Sequence, residues 1–211
     1  MKIILNLTVA MIIVLITSAC YHKRPDIIVI GTQTWTTKNL DVDTFRNGEA
    51  IPEAKTFNDW QAAGDNNQPA WCYYENDVVN GNKYGKLYNW YAVNDARGLS
   101  PSGWHIPTDL EWTVLFTFLG GNEAAGKKMK SASGWSRDGN GTNSIGFTGL
   151  PSGSRNYYGA FGDVGYFGSW WSASETNGAF AWIRFLDHKY INRNRSYDEK
   201  SSGFSVRCVK D

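Results

Sequence analysis

Residues 85–112 read GKLYNWYAVNDARGLSPSGWHIPTDLEW, and the local signals in this stretch decide the fold class. Leu87, Trp90, Tyr91 and Asn94 recur at helical spacing until Gly98 and Pro101 stop the run. Trp104, His105 and Ile106 make a short β-rich run, after which Pro107 and Thr108 open a second helix. Thr108 and Glu111 stand in the Thr-x-x-Glu pattern of a capping box, in which each side chain accepts from a backbone N–H at the helix start. Trp112, Leu115, Phe116 and Leu119 then fall on one helical face, and Gly120-Gly121 ends the helix.

Outward from this centre the pattern divides. Downstream, residues 122–130 suit a third, shorter helix with Ala125 and Met129 turned inward. From Ser131 onward Gly, Ser, Asn and aromatics dominate, with β-like runs at 145–150, 170–174, 180–186, 190–194 and 204–209. Upstream, residues 27–30, Gly31-Thr32 and residues 33–37 read as a hairpin, residues 56–63 as two helical turns capped at Thr56, residues 71–75 as an aromatic strand, and residues 81–85 as a turn. Strands, then helices, then many strands is an α+β order.

The N-terminus has a different character. Lys2, an apolar run over residues 3–16, and the small residues Thr17, Ser18 and Ala19 before Cys20 follow the order of an export signal. The apolar run is shorter than the roughly 20 residues needed to cross a bilayer. Cleavage after residue 19 with acylation of Cys20 is therefore the expectation: residues 1–19 a lipoprotein signal, residues 20–26 a tether, residues 27–211 the folded domain. An ordinary secretory signal with an incidental cysteine is the alternative. The expected location is the bacterial cell envelope, on the outer membrane, with the lipid as the membrane contact.

Removing residues 1–19 removes Lys2 and no acid, leaving 20 basic and 20 acidic side chains. Neither this balance nor the scattered Lys and Arg imply nucleic acid as a partner. Ten Trp and 22 Gly beside three Met favour a loop-rich fold pinned by large rigid side chains over a helical bundle. With Cys20 acylated, Cys72 and Cys208 remain, an even pair in an oxidising compartment. A bridge between them is expected, and chain entropy gives it an upper worth of about 4–5 kcal/mol. Two buried free thiols are the alternative.

Several strings in one order resemble the Fibrobacter succinogenes major paralogous domain, a family of exported bacterial domains. They are IGTQTWTTKNL near the start, residues 85–112 in the middle, GFTGLPSGSRNYYGAF and WWSASE further on, and GFSVRC at the end. The resemblance covers the chain from about Ile27 to Asp211. It implies a C-type lectin-like fold similar to the formylglycine-generating enzymes, with small antiparallel sheets, two or three short helices, long loops, and the first and last strands side by side. Formylglycine-generating enzymes work through a cysteine arrangement late in the domain, whereas the only late cysteine here is Cys208, in a terminal strand.

No GxSxG, HExxH or phosphate loop is present, and no CxxC or Cys/His cluster offers a zinc site. Residues 138–143 (DGNGTN) alternate oxygen side chains as a calcium loop does, but Asn143 and Gly149 occupy the places where an EF-hand needs Gly and Glu, so a polar turn is expected. No enzyme, cofactor or metal is expected. Arg155, Asn156, Tyr157 and Tyr158, with Tyr190, Asn192 and Arg193, mix planar rings with Asn and Arg, chemistry suited to sugar faces or a protein surface. Trp170, Trp171 and Trp182 are assigned to the core. The sequence thus favours a lipid-anchored, non-enzymatic recognition domain for a glycan or a protein partner. A purely structural envelope protein and a formylglycine-type oxidase are the alternatives.

Overall fold

A computed structural model of the chain describes residues 26–189 and 194–211. The expected signal, Cys20 and all of the tether before Asp26 lie outside the described residues. The architecture is α+β, with five α-helices and eleven strands among the described residues. The N-terminal hairpin, β1 (Ile27–Ile30) and β2 (Gln33–Thr36), joins a four-stranded sheet in which β2 pairs with the last strand, β11 (Val209–Lys210), and β11 with β5 (Trp104–His105). The two ends of the described domain therefore meet in one sheet.

Capping chemistry fixes two helix starts. At α1 (Phe57–Asp65), Thr56 accepts from the Asp59 N–H at 3.1 Å and Asp59 accepts from the Thr56 N–H at 3.0 Å. At α4 (Asp109–Phe118), Thr108 and Glu111 make the same exchange. Trp112, Leu115 and Phe116 of α4 and Ala125 and Met129 of α5 (Asn122–Met129) are buried, as their spacing predicts.

The segment before α4 differs from its sequence reading. Leu87 and Tyr88 form a strand, β4 (Leu87–Tyr88), paired with β3 (Trp71–Cys72). Asn89 then caps the short helix α3 (Trp90–Val93), accepting from Ala92 N–H. Helical spacing had absorbed a two-residue strand because Leu87 and Trp90 both point into core. The expected strand over 71–75 stops at Cys72, since Glu75 and Asn76 adopt φ near +53° and enter a 3-10 turn. The expected turn over 81–85 is the end of α2 (Val78–Tyr84), whose apolar residues Val78 and Val79 face solvent and so left no amphipathic signal. Gly81 is required there, because a Cβ would lie 2.4 Å from the Tyr73 ring.

The second half builds a five-stranded sheet in the order β10 (Arg195–Glu199), β9 (Phe180–Asp187), β8 (Phe167–Glu175), β6 (Ser152–Arg155), β7 (Phe161–Val164). Residues 145–150 form no strand, and of 204–208 only isolated bridges appear before β11. Of the run at 190–194, residues 190–193 lie outside the described residues.

One face of the five-stranded sheet offers Trp170 and Leu186 to a cluster that includes Trp112, Leu115, Met129 and Trp35. The opposite face offers Trp171 and Ile183 to Tyr88, Trp90, Phe204 and Val206. Trp170 and Trp171 are core residues, but Trp182 is only half-buried. It alternates away from Ile183 on the edge-strand side, with the Arg195 guanidinium 3.4 Å over its ring.

Where the clusters meet, two buried polar side chains tie five distant segments together. Asn39 donates to the Tyr84 carbonyl (2.8 Å) and the Ser205 hydroxyl (3.1 Å), and accepts from the Trp170 indole (2.8 Å) and Arg207 Nε (2.7 Å). All four of its hydrogen-bonding positions are filled. Arg207, fully buried, also donates to the carbonyls of Thr36, Phe147 and Thr148 and stacks 4.5 Å over the Phe147 ring. Among the described residues no carboxylate pairs with it, and burial pulls its pKa down to about 9.

The expected bridge between Cys72 and Cys208 is not formed; both are free, buried thiols. Their surroundings explain why. Cys72 packs with Ala54, Trp60, Ala70, Tyr74 and Leu87 and feels Arg155, whereas Cys208 lies on the last strand beside Arg207 and Thr36. Burial pushes both thiols up to about 12. Neither should react with a thiol reagent in the native protein at neutral pH, and both should react in denaturant without prior reduction. Failure to label Cys72 and Cys208 in the unfolded chain until a reductant is added contradicts the free-thiol assignment.

Two other outcomes follow from this packing. Asn39→Ala strands the Trp170 N–H and the Tyr84 carbonyl, and should lower the unfolding free energy by about 3 kcal/mol in a urea titration. A loss below about 0.5 kcal/mol, the level of an ordinary surface change, contradicts the role. At the C-terminus, His105 lies 2.8 Å from Asp211 and 2.7 Å from Glu111 through its two ring nitrogens. Partial burial lowers its pKa, but the two carboxylates outweigh this and the net shift is upward from 6.5. The clamp's contribution is therefore full below pH 6.5 and fades as the pH rises through the raised value. The difference in melting temperature between the native chain and His105→Gln should shrink from pH 6 to pH 8, about the imidazole range; a constant difference argues against the clamp.

Candidate functional site

The face of the five-stranded sheet that carries Trp171 and Ile183 is only partly covered. Register places Ser169 opposite Phe185 and Trp171 opposite Ile183, while Ser196 of β10 lies opposite Ile183. Beyond the Trp171–Phe204 contact, where the rings meet edge-on at 4.8 Å, the covering chain leaves the sheet and a groove of about 330 Å³ opens. Phe167, Phe185, Ile183 and Phe204 give it apolar walls, with the Phe167 and Phe185 rings 6.1 Å apart. Ser154, Asn156, Asp163, Ser169, Ser196, Asp198 and Ser202 supply the polar groups.

Asp198 is the most perturbed of these. Its Oδ1 accepts from the Ser202 hydroxyl (2.7 Å) and the Glu199 N–H (2.9 Å). Burial nonetheless wins over these bonds and raises its pKa. A desolvated carboxyl in an aromatic-walled groove is a candidate recognition group. Asp163 sits at the groove with φ +68°, a left-handed conformation that non-glycine residues enter rarely. Among the described residues none that lines the groove is basic.

The sequence-derived site divides against this geometry. Asn156 lines the groove, although its Oδ1 is engaged by the Ala160 N–H in the β6–β7 turn. Tyr157 and Tyr158 pack with ring centroids 3.8 Å apart, Tyr158 being 54% exposed. The Tyr158 hydroxyl holds the Tyr157 phenol up at about 12, and Glu199 and Asp198 add to this. Tyr190, Asn192 and Arg193 lie outside the described residues.

Arg155 is not a surface group. It is 1% exposed, donates to the carbonyls of Ala54 (2.6 Å), Thr56 (2.9 Å) and Gly159 (2.9 Å), and is stacked 4.7 Å from both the Trp60 and Phe161 rings. Its role is to fasten α1 to the second sheet, so it is withdrawn from the ligand-binding set. Phe167, Phe185, Asp198 and Ser202 were missed. Alternation along residues 180–187 marks only Phe185 and does not say which face stays uncovered, and no local signal marks Phe167, Asp198 or Ser202.

The loop at 138–143 turns its oxygens onto the protein. Asn140 Oδ1 accepts from the Trp135 N–H and Asn143 Oδ1 from the Thr148 N–H, as a polar turn does. Among the described residues no group of three or more His, Cys, Asp or Glu side chains is placed to hold a metal ion. A larger hollow of about 610 Å³ beside α5 is lined by Glu123, Lys127, Lys128 and small residues, with no aromatic wall against which a ligand could stack.

No curated protein matches the chain. The sequence strings that carry Asn39, Trp170 and Arg207 are also those that point to a family, and the family model described as the Fibrobacter succinogenes major domain matches residues 28–210. The chain belongs to that family.

Proposed function

We propose that the protein is an exported envelope lipoprotein, acylated on Cys20 and held at the outer membrane, whose folded domain is a non-enzymatic recognition module for a glycan. The groove on the five-stranded sheet carries this reading. Rings at its walls suit the apolar faces of a sugar, and a ring of hydroxyls, amide and carboxyl groups suits its hydroxyls. Among the described residues of that lining the charged groups are Asp198 and Asp163, which can accept from hydroxyl or amino substituents.

A C-type lectin-like arrangement is part of the proposal. It is supported by β2 and β11 lying side by side and by α1 and α4 flanking the sheets. The non-enzymatic reading is supported by the thiols: with pKa values near 12, neither Cys72 nor Cys208 supplies a thiolate at neutral pH, as an oxidase of the formylglycine type needs.

The test is a glycan array probed with the intact protein and with Phe185→Ala, Asp198→Asn and Tyr158→Ala, each checked for an unchanged circular dichroism spectrum. Loss of an aromatic wall or of the carboxyl should weaken any hit about tenfold or more, the effect of a groove hot spot. Tyr158→Ala, at the margin, should cost less. Hits insensitive to both groove variants overturn the site. An array without hits, beside specific capture of an envelope protein that Phe185→Ala abolishes, moves the assignment from glycan to protein partner. Lipidation is tested separately by the mass of the N-terminal peptide, which should carry acyl chains on Cys20.

A further inference from the structure

The four-stranded sheet has one face packed, while the other is exposed along β1 and at Lys210 and closed at Thr36 and Ile106. Ile30, Trp35 and Val209 point into the helical core, with Ile28 packed against it. Alternation therefore turns Ile27, Val29, Thr34, Thr36, Lys210 and Trp104 the other way, and of these Thr36 is buried. Ile27 and Val29 are 52% and 66% exposed on the edge strand, Lys210 and nearby Lys38 are exposed, and Trp104 is half-buried at the far edge.

We propose that this open face docks on the lipid bilayer beside the anchor; the inference rests on the lipoprotein reading above. Reach carries the argument. From Cys20 to Ile27 an extended chain spans at most about 25 Å, so an acylated Cys20 keeps β1, the strand that begins at Ile27, next to the membrane surface. Aliphatic side chains flanked by lysines and a tryptophan have the chemistry of the headgroup boundary, where the ring and the long amine stems lie between hydrocarbon and water. The tether also holds the face at high effective concentration, so a weak contact suffices. In this pose β11 and β2 lie against the lipid, and the groove, on a different sheet, is left free for ligand.

The experiment uses the full processed chain in phosphatidylethanolamine–phosphatidylglycerol vesicles. An environment-sensitive dye is attached at Thr34→Cys or, as control, at Tyr158→Cys; Cys72 and Cys208 are buried and do not compete for it. The dye at 34 should shift to the blue and resist quenching by iodide, while the dye at 158 stays in water. Ile27→Asp with Val29→Asp should abolish the shift at 34 without releasing the protein from vesicles. Acyl chains on Cys20 together with equal iodide quenching at 34 and 158 overturn the docking face and leave the lipoprotein reading intact. A Cys20 peptide without acyl chains overturns both.

Discussion

The fold depends on a guanidinium buried without a counter-ion. Arg207 gives its N–H groups to Asn39 and to three backbone carbonyls, from Thr36, Phe147 and Thr148. A charge in a protein interior is tolerated when hydrogen bonds replace the water it loses, and four of the five guanidinium N–H groups are bonded here. The acceptors here come from segments far apart in sequence, and all must be in place together. Asn39 extends the requirement to Trp170 and to the Tyr84 carbonyl. The last strand, the N-terminal hairpin, the 147–148 turn and the central strand of the second sheet are thereby fixed as one cooperative unit.

That fixed centre makes an open groove tolerable. Trp170 is locked on one face of β8, and Trp171 donates its indole N–H to the Tyr88 carbonyl on the other. The register of β8 against β9 is thus set from both sides, and it holds Ser169 and Phe185 at the groove. Arg155 acts similarly at the near end, holding α1 and the β6–β7 turn through three carbonyls. Two buried arginines do the positioning, while the polar groups at the groove are the serines, Asn156 and the two aspartates.

What could be read in the sequence was what is local. The capping boxes at Thr56 and Thr108 and the stripe from Trp112 to Leu119 depend on neighbours within a turn or two, and they appear where expected. Leu87 was misread because a two-residue strand ending at a capping Asn89 has the same apolar spacing as a helix. Arg155 was misread because the surrounding RNYY string looks like surface; its acceptors at Ala54 and Thr56 lie about a hundred residues away. The groove was hidden for the same reason. Its walls come from β6, β8, β9, β10 and the returning chain at Ser202 and Phe204, and only the assembled register shows which side chains remain uncovered.

Native-state hydrogen exchange, followed by NMR at the Arg207 Nε–H and the Trp170 indole N–H, addresses the central requirement most directly. If the Asn39–Arg207 centre closes the fold, both protons exchange only through global unfolding, with the same free energy as the slowest amides of β8 and β9. Exchange of either proton by local fluctuation, several kcal/mol below that limit as in a mobile loop, would show that the guanidinium is not held as described.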